Sequence, residues 1–139
     1  MAKTILIAED FADDAALLQQ MLKSVGVHNP VMTVGDGEQA IAYLKGEGQF
    51  SDRLAFPLPA VLLLDLKMPR TDGFKVLEWL ANQPELKQLL VIVVSGSDAI
   101  KDVQMAYKLG AHSFLTKPFT PDDVKNLTNA FEGYWQSSA

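Results

Sequence analysis

Five short apolar runs, each about as long as a β-strand, constrain the fold more than any other feature of this sequence. They do not alternate apolar with polar residues, so both faces of each strand are expected to be buried. Burial on both faces is typical of a parallel sheet covered by helices. The runs are residues 5–8, 31–34, 61–64, 90–94 and 113–115.

The stretches between these runs show helical periodicity. Near the N-terminus, apolar residues follow the i, i+3, i+4, i+7 spacing of a helix packed on one face, at Leu18, Met21, Leu22 and Val25. Gly26 and Gly110 follow the first and fourth predicted helices, where a helix commonly ends. Strand and helix then alternate five times. This order predicts an α/β fold of the flavodoxin-like type, a doubly wound five-stranded parallel sheet of order 2-1-3-4-5 with helices on both faces.

The composition excludes several classes of function. The chain has no cysteine, which rules out disulfides, zinc–thiolate sites and a cysteine nucleophile. The formal net charge is −5, from 12 basic and 17 acidic residues without a basic run, so a nucleic-acid or anionic membrane surface is disfavoured. No run is long enough to span a bilayer and no signal peptide is visible. We expect one cytoplasmic domain over residues 1–139, without an output domain.

Polar residues stand directly after four of the predicted strands. Glu9 and Asp10 follow the first, Asp65 the third, Ser95 the fourth and Lys117 the fifth. In an open parallel sheet, ligands bind beyond the carboxyl ends of the strands, at the switch point between strands 1 and 3. Carboxylates held close together there repel each other, and Mg²⁺ is the cation expected to neutralise them. The alternative is a set of surface acids that point apart into solvent.

The acidic segment after the first strand also argues against a nucleotide or flavin at this edge. Such a site needs a loop rich in Gly, Ser or Thr that offers backbone N–H groups to phosphate. Residues 9–14 carry four acids, which would repel a phosphate unless a cation intervened. A P-loop motif is also missing from the sequence.

Taken together and in this order, these residues resemble a bacterial two-component response-regulator receiver domain. The resemblance covers essentially the whole chain and adds residues 63–69 and the pairs Asp72-Gly73 and Lys117-Pro118 to the residues above. It implies that Asp65 accepts a phosphoryl group from the phosphohistidine of a sensor histidine kinase. It also implies that Lys117 pairs with Asp65 before transfer and with a phosphate oxygen afterwards, while the Ser95 hydroxyl binds another phosphate oxygen.

The same resemblance implies a set of Mg²⁺ ligands. Asp10 and Asp65 would bind the ion, Glu9 would act directly or through a water, and the backbone carbonyl of Lys67 would add a further ligand. We hypothesise that the Lys67 side chain modulates hydrolysis of the aspartyl phosphate, a solvated lysine being the alternative. The family also has a cis peptide at the position of Lys117-Pro118. Asp13 and Asp14 are assigned instead to the cap and dipole of the first helix.

Signal output is expected from a switch and an interaction surface. The resemblance implies that Ser95 and Phe114 move after phosphorylation, the alternative for Phe114 being a core aromatic without a switch role. The fourth helix, fifth strand and last helix would form the signalling face. Its expected anchors are Tyr107, Tyr134 and Trp135, and a homodimer would form through it. The alternative for Trp135 is that it packs the end of the last helix onto the body.

Two segments indicate which group of receiver domains this chain resembles most. Residues 46–59 and the aromatic segment 131–135 resemble those of stand-alone regulators paired with bacterial phytochromes, which implies a light-responsive sensor kinase as partner and a downstream protein target. Phe50, Leu54 and Phe56 are expected to dock residues 46–59 onto the body.

Two other functions stay open beside a phospho-accepting switch. One is a Mg-dependent phosphatase that works through an aspartyl phosphate. Such enzymes typically carry D-x-D, and this chain has Lys67 in place of the second acid, which removes the proton shuttle. The other is a binding module on a receiver fold that is not phosphorylated. All five expected site positions are filled, so nothing in the sequence favours it.

Overall fold

Five parallel strands form one sheet in the order β2-β1-β3-β4-β5, as the sequence predicts. A computed structural model describes residues 3–137 of the chain. The strands are β1 (Ile5–Ala8), β2 (Val31–Val34), β3 (Val61–Leu64), β4 (Leu90–Ser95) and β5 (Ser113–Thr116). This is the flavodoxin-like fold, and each predicted apolar run lies within one of these strands.

Five α-helices connect and cover the strands. They are α1 (Ala12–Ser24), α2 (Gly37–Lys45), α3 (Gly73–Ala81), α4 (Ile100–Lys108) and α5 (Pro121–Ala130). Two short 3-10 helices, Gly48–Phe50 and Pro84–Leu86, lie in the connections before β3 and β4. Within the described part of the chain, no helix combines the length and apolarity needed to cross a membrane.

Alternate residues of the strands face two separate hydrophobic layers. Leu6 and Ala8 of β1 pack with residues of α2, α3 and α4, whereas Ile5 and Ile7 pack with residues of α1 and α5. All residues of β1, β3 and β4 are buried. The edge strands β2 and β5 are only partly buried, because each has a neighbouring strand on one side alone. Continuous apolarity therefore reports burial on both faces best at the centre of the sheet.

The register of the strands brings their carboxyl ends to one edge. Ala8 pairs with Leu64, so that Glu9 and Asp65 leave neighbouring strands at the same level. The backbone N–H of Asp65 donates to the Ala8 carbonyl at 3.0 Å, which extends the β1–β3 ladder by one residue. On the other side, the N–H of Lys117 donates to the Ser95 carbonyl at 2.8 Å. The sheet thus presents its polar strand ends along one edge.

Residues 46–59 are held against α2 by aromatic and guanidinium contacts. Phe50 is buried, and its ring lies 5.0 Å from that of Tyr43 and 5.3 Å from that of Phe56. The Arg53 guanidinium donates to the carbonyls of Tyr43 and Leu44 at 2.9 Å each, which satisfies acceptors in the last turn of α2. The prediction that Leu54 docks this segment is wrong, because Leu54 is 95% exposed.

The C-terminal segment folds back toward the amino ends of the strands. The Asn29 side chain donates to the carbonyls of Lys3 and Tyr134 at 2.7 and 2.8 Å, and it accepts from the Gln136 N–H at 2.6 Å. Tyr134 and Trp135 are partly buried against the layer of α1 and α5.

Tyr107 lies elsewhere, exposed on α4 in the opposite helical layer. The three predicted interface aromatics therefore do not share one layer of the molecule. The position of Trp135 agrees with the alternative reading, in which this residue packs the end of the last helix onto the body.

Candidate functional site

Three carboxylates meet beyond the carboxyl ends of β1 and β3. Glu9, Asp10 and Asp65 each place one carboxylate oxygen within 4.8 Å of the others. The side chains of Glu9 and Asp65 are only 7% and 9% exposed, whereas Asp10 is open to solvent. The alternative in which these acids point apart is wrong, because their carboxylate oxygens lie this close together beyond two neighbouring strands.

The protein compensates the charge of this cluster only in part. Burial raises the pKa of Glu9, and the adjacent Asp65 raises it further, while a hydrogen bond from Lys117 opposes the shift. Asp10 is largely exposed, and the partial desolvation of its carboxyl group together with its hydrogen bond with Glu9 raises its pKa. The cluster holds three carboxylates, and the ammonium of Lys117 supplies one positive charge beside them, so it is short of positive charge when the acids are ionised. Three carboxylates with this deficit fit a hard divalent cation such as Mg²⁺.

Lys117 brings a single ammonium group into the acidic cluster. Its Nζ donates hydrogen bonds to Glu9 and, at 2.9 Å, to Asp14, and it lies 3.5 Å from Asp65. Burial alone would lower the pKa of Lys117, but the bonds to Glu9 and Asp14 and the charge of Asp65 raise it above its ordinary value. The peptide bond between Lys117 and Pro118 is cis, as the resemblance implies.

Asp14 is a site residue that sequence reasoning missed. Its assignment to the helix terminus alone does not account for its hydrogen bond with Lys117. A signal was available, because Asp14 lies four residues before the buried Leu18 and thus on the helix face that packs against the sheet. The assignment of Asp13 and Asp14 to the cap is wrong, because Phe11 occupies the N-cap position of α1 and no side chain makes a cap hydrogen bond there. Asp13 is exposed in the first turn, where it can still interact with the helix dipole.

The loop between β3 and α3, which carries Lys67, is fixed by close backbone contacts. The Lys67 N–H donates to Asp65 Oδ1 at 3.3 Å, and the Lys67 side chain is exposed. A Cβ on Gly73 would lie 2.4 Å from the Asp65 carbonyl oxygen, and one on Gly37 would lie 1.8 Å from that of Thr71. Both positions require glycine so that α2 and α3 can begin directly against this loop.

Hydrogen bonds connect Ser95 to the loop that follows it and that loop to α4. Ser95 is fully buried, and its hydroxyl accepts from the Ser97 N–H at 3.2 Å. The Ser97 hydroxyl in turn donates to Asp102 of α4 at 2.6 Å. Phe114 of β5 is partly buried and packs against the core layer of α2, α3 and α4. Both readings of Phe114, as a switch and as a core aromatic, are compatible with this position.

Known proteins are similar to this chain in fold and, over most of its length, in sequence. A family model described as the response regulator receiver domain matches residues 5–129. Response regulator Rcp1 of Synechocystis sp. (strain ATCC 27184 / PCC 6803 / Kazusa) is 32% identical over 133 residues, which cover 96% of this chain and 88% of Rcp1. The Mn²⁺-bound form of Rcp1 superimposes with a TM-score of 0.79 at 31% identity, covering 99% of each chain.

Two further solved structures of response regulators are similar to this chain. Response regulator RPA3017, described in red light signalling of R. palustris, has a TM-score of 0.85 at 33% identity over 99% of both chains. The phosphorylated cyanobacterial phytochrome response regulator RcpA has a TM-score of 0.80 at 32% identity, covering 97% of this chain and 94% of its own. The match over residues 5–129, the strand order and the acidic site agree with one another, and the chain belongs to the response regulator receiver domain family of two-component systems.

Proposed function

We propose that this protein is a phospho-accepting response regulator, in which Asp65 receives a phosphoryl group from a partner histidine kinase in a Mg-dependent reaction. The observation that carries the proposal is the meeting of Glu9, Asp10 and Asp65 with Lys117 beyond neighbouring strand ends. Phosphoryl transfer depends mainly on positioning and on neutralising charge, and these residues supply both.

Asp65 is the proposed nucleophile. One of its carboxylate oxygens attacks the phosphorus of the phosphohistidine, the new O–P bond forms as the P–N bond breaks, and the imidazole leaves with the bonding electron pair. The Lys67 N–H holds Asp65 Oδ1, so the carboxylate is oriented before the donor arrives. Mg²⁺, bound by Asp10, Asp65 and the Lys67 carbonyl with Glu9 directly or through water, would neutralise charge on the transferred group.

Lys117 and Ser95 are the proposed partners of the phosphoryl oxygens. The Lys117 Nζ already lies 3.5 Å from Asp65 Oδ2, close enough to reach an oxygen on the adjacent phosphorus. The Ser95 hydroxyl accepts from the Ser97 N–H and still has its own proton to donate to a second phosphoryl oxygen. As Ser95 is drawn toward the phosphoryl group the loop before α4 is proposed to move with it, and Phe114 to follow because it packs in the same layer as α4.

The upstream partner is proposed to be a sensor histidine kinase of the phytochrome class. Its support is the similarity to RcpA, whose description names a phytochrome, and to RPA3017, described in red light signalling. Output is proposed to pass through protein contact on α4, β5 and α5 to a downstream protein or a second copy of the chain. Tyr107, exposed on α4, is the best placed of the three predicted contact residues.

We propose signalling rather than turnover of an external substrate. A phosphatase that uses an aspartyl phosphate needs a general acid near its nucleophile, and the second residue after Asp65 is the exposed Lys67. A module that is never phosphorylated would have no need to bury Glu9 and Asp65 side by side, which costs free energy.

Incubation with Mg²⁺ and acetyl phosphate, followed by mass spectrometry, tests the proposal. The expected product is a single base-labile phosphoryl adduct on Asp65, lost in Asp65→Asn and in the presence of a chelator. A chain that gains no adduct would contradict the proposal. Sustained release of phosphate at enzymatic rates would instead favour the phosphatase.

A further inference from the structure

The ammonium group of Lys117 is shared among three carboxylates from different parts of the chain. Glu9 follows β1, Asp65 follows β3, and Asp14 lies in the first turn of α1. The Lys117 side chain is 20% exposed, so water contributes only part of its solvation. An ammonium has three N–H donors, and each of these carboxylates lies within ion-pair distance of it.

The three contacts are unequal. Lys117 donates hydrogen bonds to Glu9 and to Asp14, the latter at 2.9 Å, whereas its 3.5 Å approach to Asp65 is an ion pair without a hydrogen bond. The proposed nucleophile, Asp65, therefore has the weakest contact with the Lys117 ammonium. The ammonium is hydrogen-bonded to Glu9 and Asp14 and not to Asp65.

We propose that Asp14 is a positioning residue that competes with Asp65 for the Lys117 ammonium, and so sets how much of this charge is available at the phosphoacceptor. The effect on the phosphoryl group rests on the function proposed above. The sharing of the Lys117 ammonium between Asp14 and Asp65 does not rest on that function, because it is a property of the protein before phosphorylation.

Asp14 is better suited than Glu9 to release the lysine. The Asp14 side chain is 36% exposed and that of Glu9 is 7% exposed, so water can replace the ammonium at Asp14 more readily. A cavity of about 260 Å³ lies beside this contact, lined by Asp14, Leu17, Lys117, Pro118 and Phe119. The ammonium and incoming water therefore have room to exchange at Asp14. A phosphoryl group on Asp65 would attract the Lys117 ammonium away from Asp14.

Asp13 provides a matched control for Asp14. Both acids lie in the first turn of α1, where each interacts favourably with the helix dipole, but Asp13 is exposed. Replacing either with Ala removes one negative charge from the same helix turn. Only Asp14→Ala removes a hydrogen-bond partner of Lys117.

The first measurement is the ¹⁵N–¹H resonance of the Lys117 ammonium in the Mg-free protein at low temperature. We expect this resonance to shift or to broaden by faster proton exchange in Asp14→Ala, to stay in place in Asp13→Ala and to return toward its original position in Asp14→Glu. Asp14→Asn, which keeps the shape of the side chain and removes its charge, is expected to give an intermediate change. A loss of helix stability alone would affect the Asp13 and Asp14 variants alike.

The second measurement is the affinity for beryllofluoride, a mimic of the phosphoryl group, at a saturating concentration of Mg²⁺. Because a competitor for Lys117 is removed, Asp14→Ala should bind the mimic about two- to fivefold more tightly than Asp13→Ala, the upper part of the range for a partly exposed ion pair.

The outcomes separate the two proposals. Equal affinities in the two Ala variants, weaker binding in Asp14→Ala, or an unmoved Lys117 resonance would each overturn the competition. If the resonance moves in Asp14→Ala while the unmutated protein binds no mimic and gains no adduct on Asp65, the sharing of Lys117 is upheld and the proposed function is overturned.

Discussion

The two ends of the sheet are held by opposite kinds of interaction. At the carboxyl ends of the strands, Glu9, Asp10 and Asp65 place like charges within 4.8 Å of one another, and burial raises the pKa of Glu9. At the amino ends, the buried and neutral Asn29 side chain makes three hydrogen bonds with backbone groups of the first and last segments of the chain. One end is electrostatically strained and the other is satisfied internally.

This contrast indicates which end of the sheet stabilises the folded state and which end lowers its stability unless a cation is bound. Hydrogen bonds that satisfy buried groups stabilise the folded state, whereas uncompensated like charges destabilise it. Removal of a like charge at the carboxyl ends should therefore raise stability, removal of the Asn29 side chain at the amino ends should lower it, and only the change at the charged end should alter metal binding.

The largest effect is expected from Gly37→Ala, which tests the packing that supports the charged end. A Cβ at Gly37 would lie 1.8 Å from the Thr71 carbonyl oxygen, so the loop that carries Lys67 must shift. We expect the free energy of unfolding, measured in urea, to fall by about 3 kcal/mol, as in severe overpacking. Gly35→Ala is the control, because a Cβ there meets no atom within 4 Å. Equal stability of the two variants would show that the loop accommodates the methyl group.

Asn29→Ala removes the polar network of the opposite end. It leaves two carbonyl groups and one N–H group without their partner, so the free energy of unfolding should fall by about 2 kcal/mol. Asn126→Ala, on the exposed face of α5, should have little effect. Mg²⁺ affinity of Asn29→Ala at a temperature where it is folded should equal that of the unmutated protein, and a clear loss would break the contrast between the ends.

Asp10→Asn should act with the opposite sign at the charged end. Without Mg²⁺, loss of one like charge should raise the free energy of unfolding by a few tenths to about 1 kcal/mol. With Mg²⁺ at ten times its dissociation constant, the unmutated protein should gain about 1.4 kcal/mol, and Asp10→Asn should gain much less. Asp13→Asn is the control, because Asp13 lies outside the cluster. A Mg-free Asp10→Asn protein less stable than the unmutated one would contradict the assigned repulsion.

The smallest effect is expected in the pH dependence of stability. Desolvation raises the pKa of Glu9 and of Asp10 above their ordinary values of 4.5 and 3.8, so the folded chain binds more protons than the unfolded chain just above these values. The contribution of both acids to the stability of the Mg-free protein therefore falls as pH rises through this window. Saturating Mg²⁺ should reverse the sign, because the ion binds the ionised acids. Without Mg²⁺, the urea midpoint of the unmutated protein should fall more steeply with rising pH over this window than that of Asp10→Asn, which lacks one of the two acids.

The sequence predicts the fold well because its strongest signals are local and periodic. The buried strands β1, β3 and β4 are continuous apolar runs, and parallel register then determines which residues meet at the strand ends. The meeting of Glu9, Asp10 and Asp65 follows from this register, since the pair Glu9-Asp10 and the single residue Asp65 begin directly after neighbouring predicted strands.

Contacts made by long or exposed side chains are less predictable. The hydrogen bond between Asp14 and Lys117 joins residues that are 103 positions apart, and its formation depends on how α1 packs on the sheet. Leu54 was expected to be buried on the basis of its hydrophobicity, but Phe50, Arg53 and Phe56 already hold its segment. The positions of Tyr134 and Trp135 likewise depend on the path of the chain after α5, which has no periodic signal.

Calorimetric titration with Mg²⁺ tests most directly whether the charged end is built for a cation. The account predicts one Mg²⁺ bound per chain in the unmutated protein, the same affinity in Asn29→Ala and an affinity at least about tenfold lower in Asp10→Asn, a loss of about 1.4 kcal/mol of binding free energy. An unmutated protein that takes up no Mg²⁺, or an Asp10→Asn variant with undiminished affinity, would contradict it.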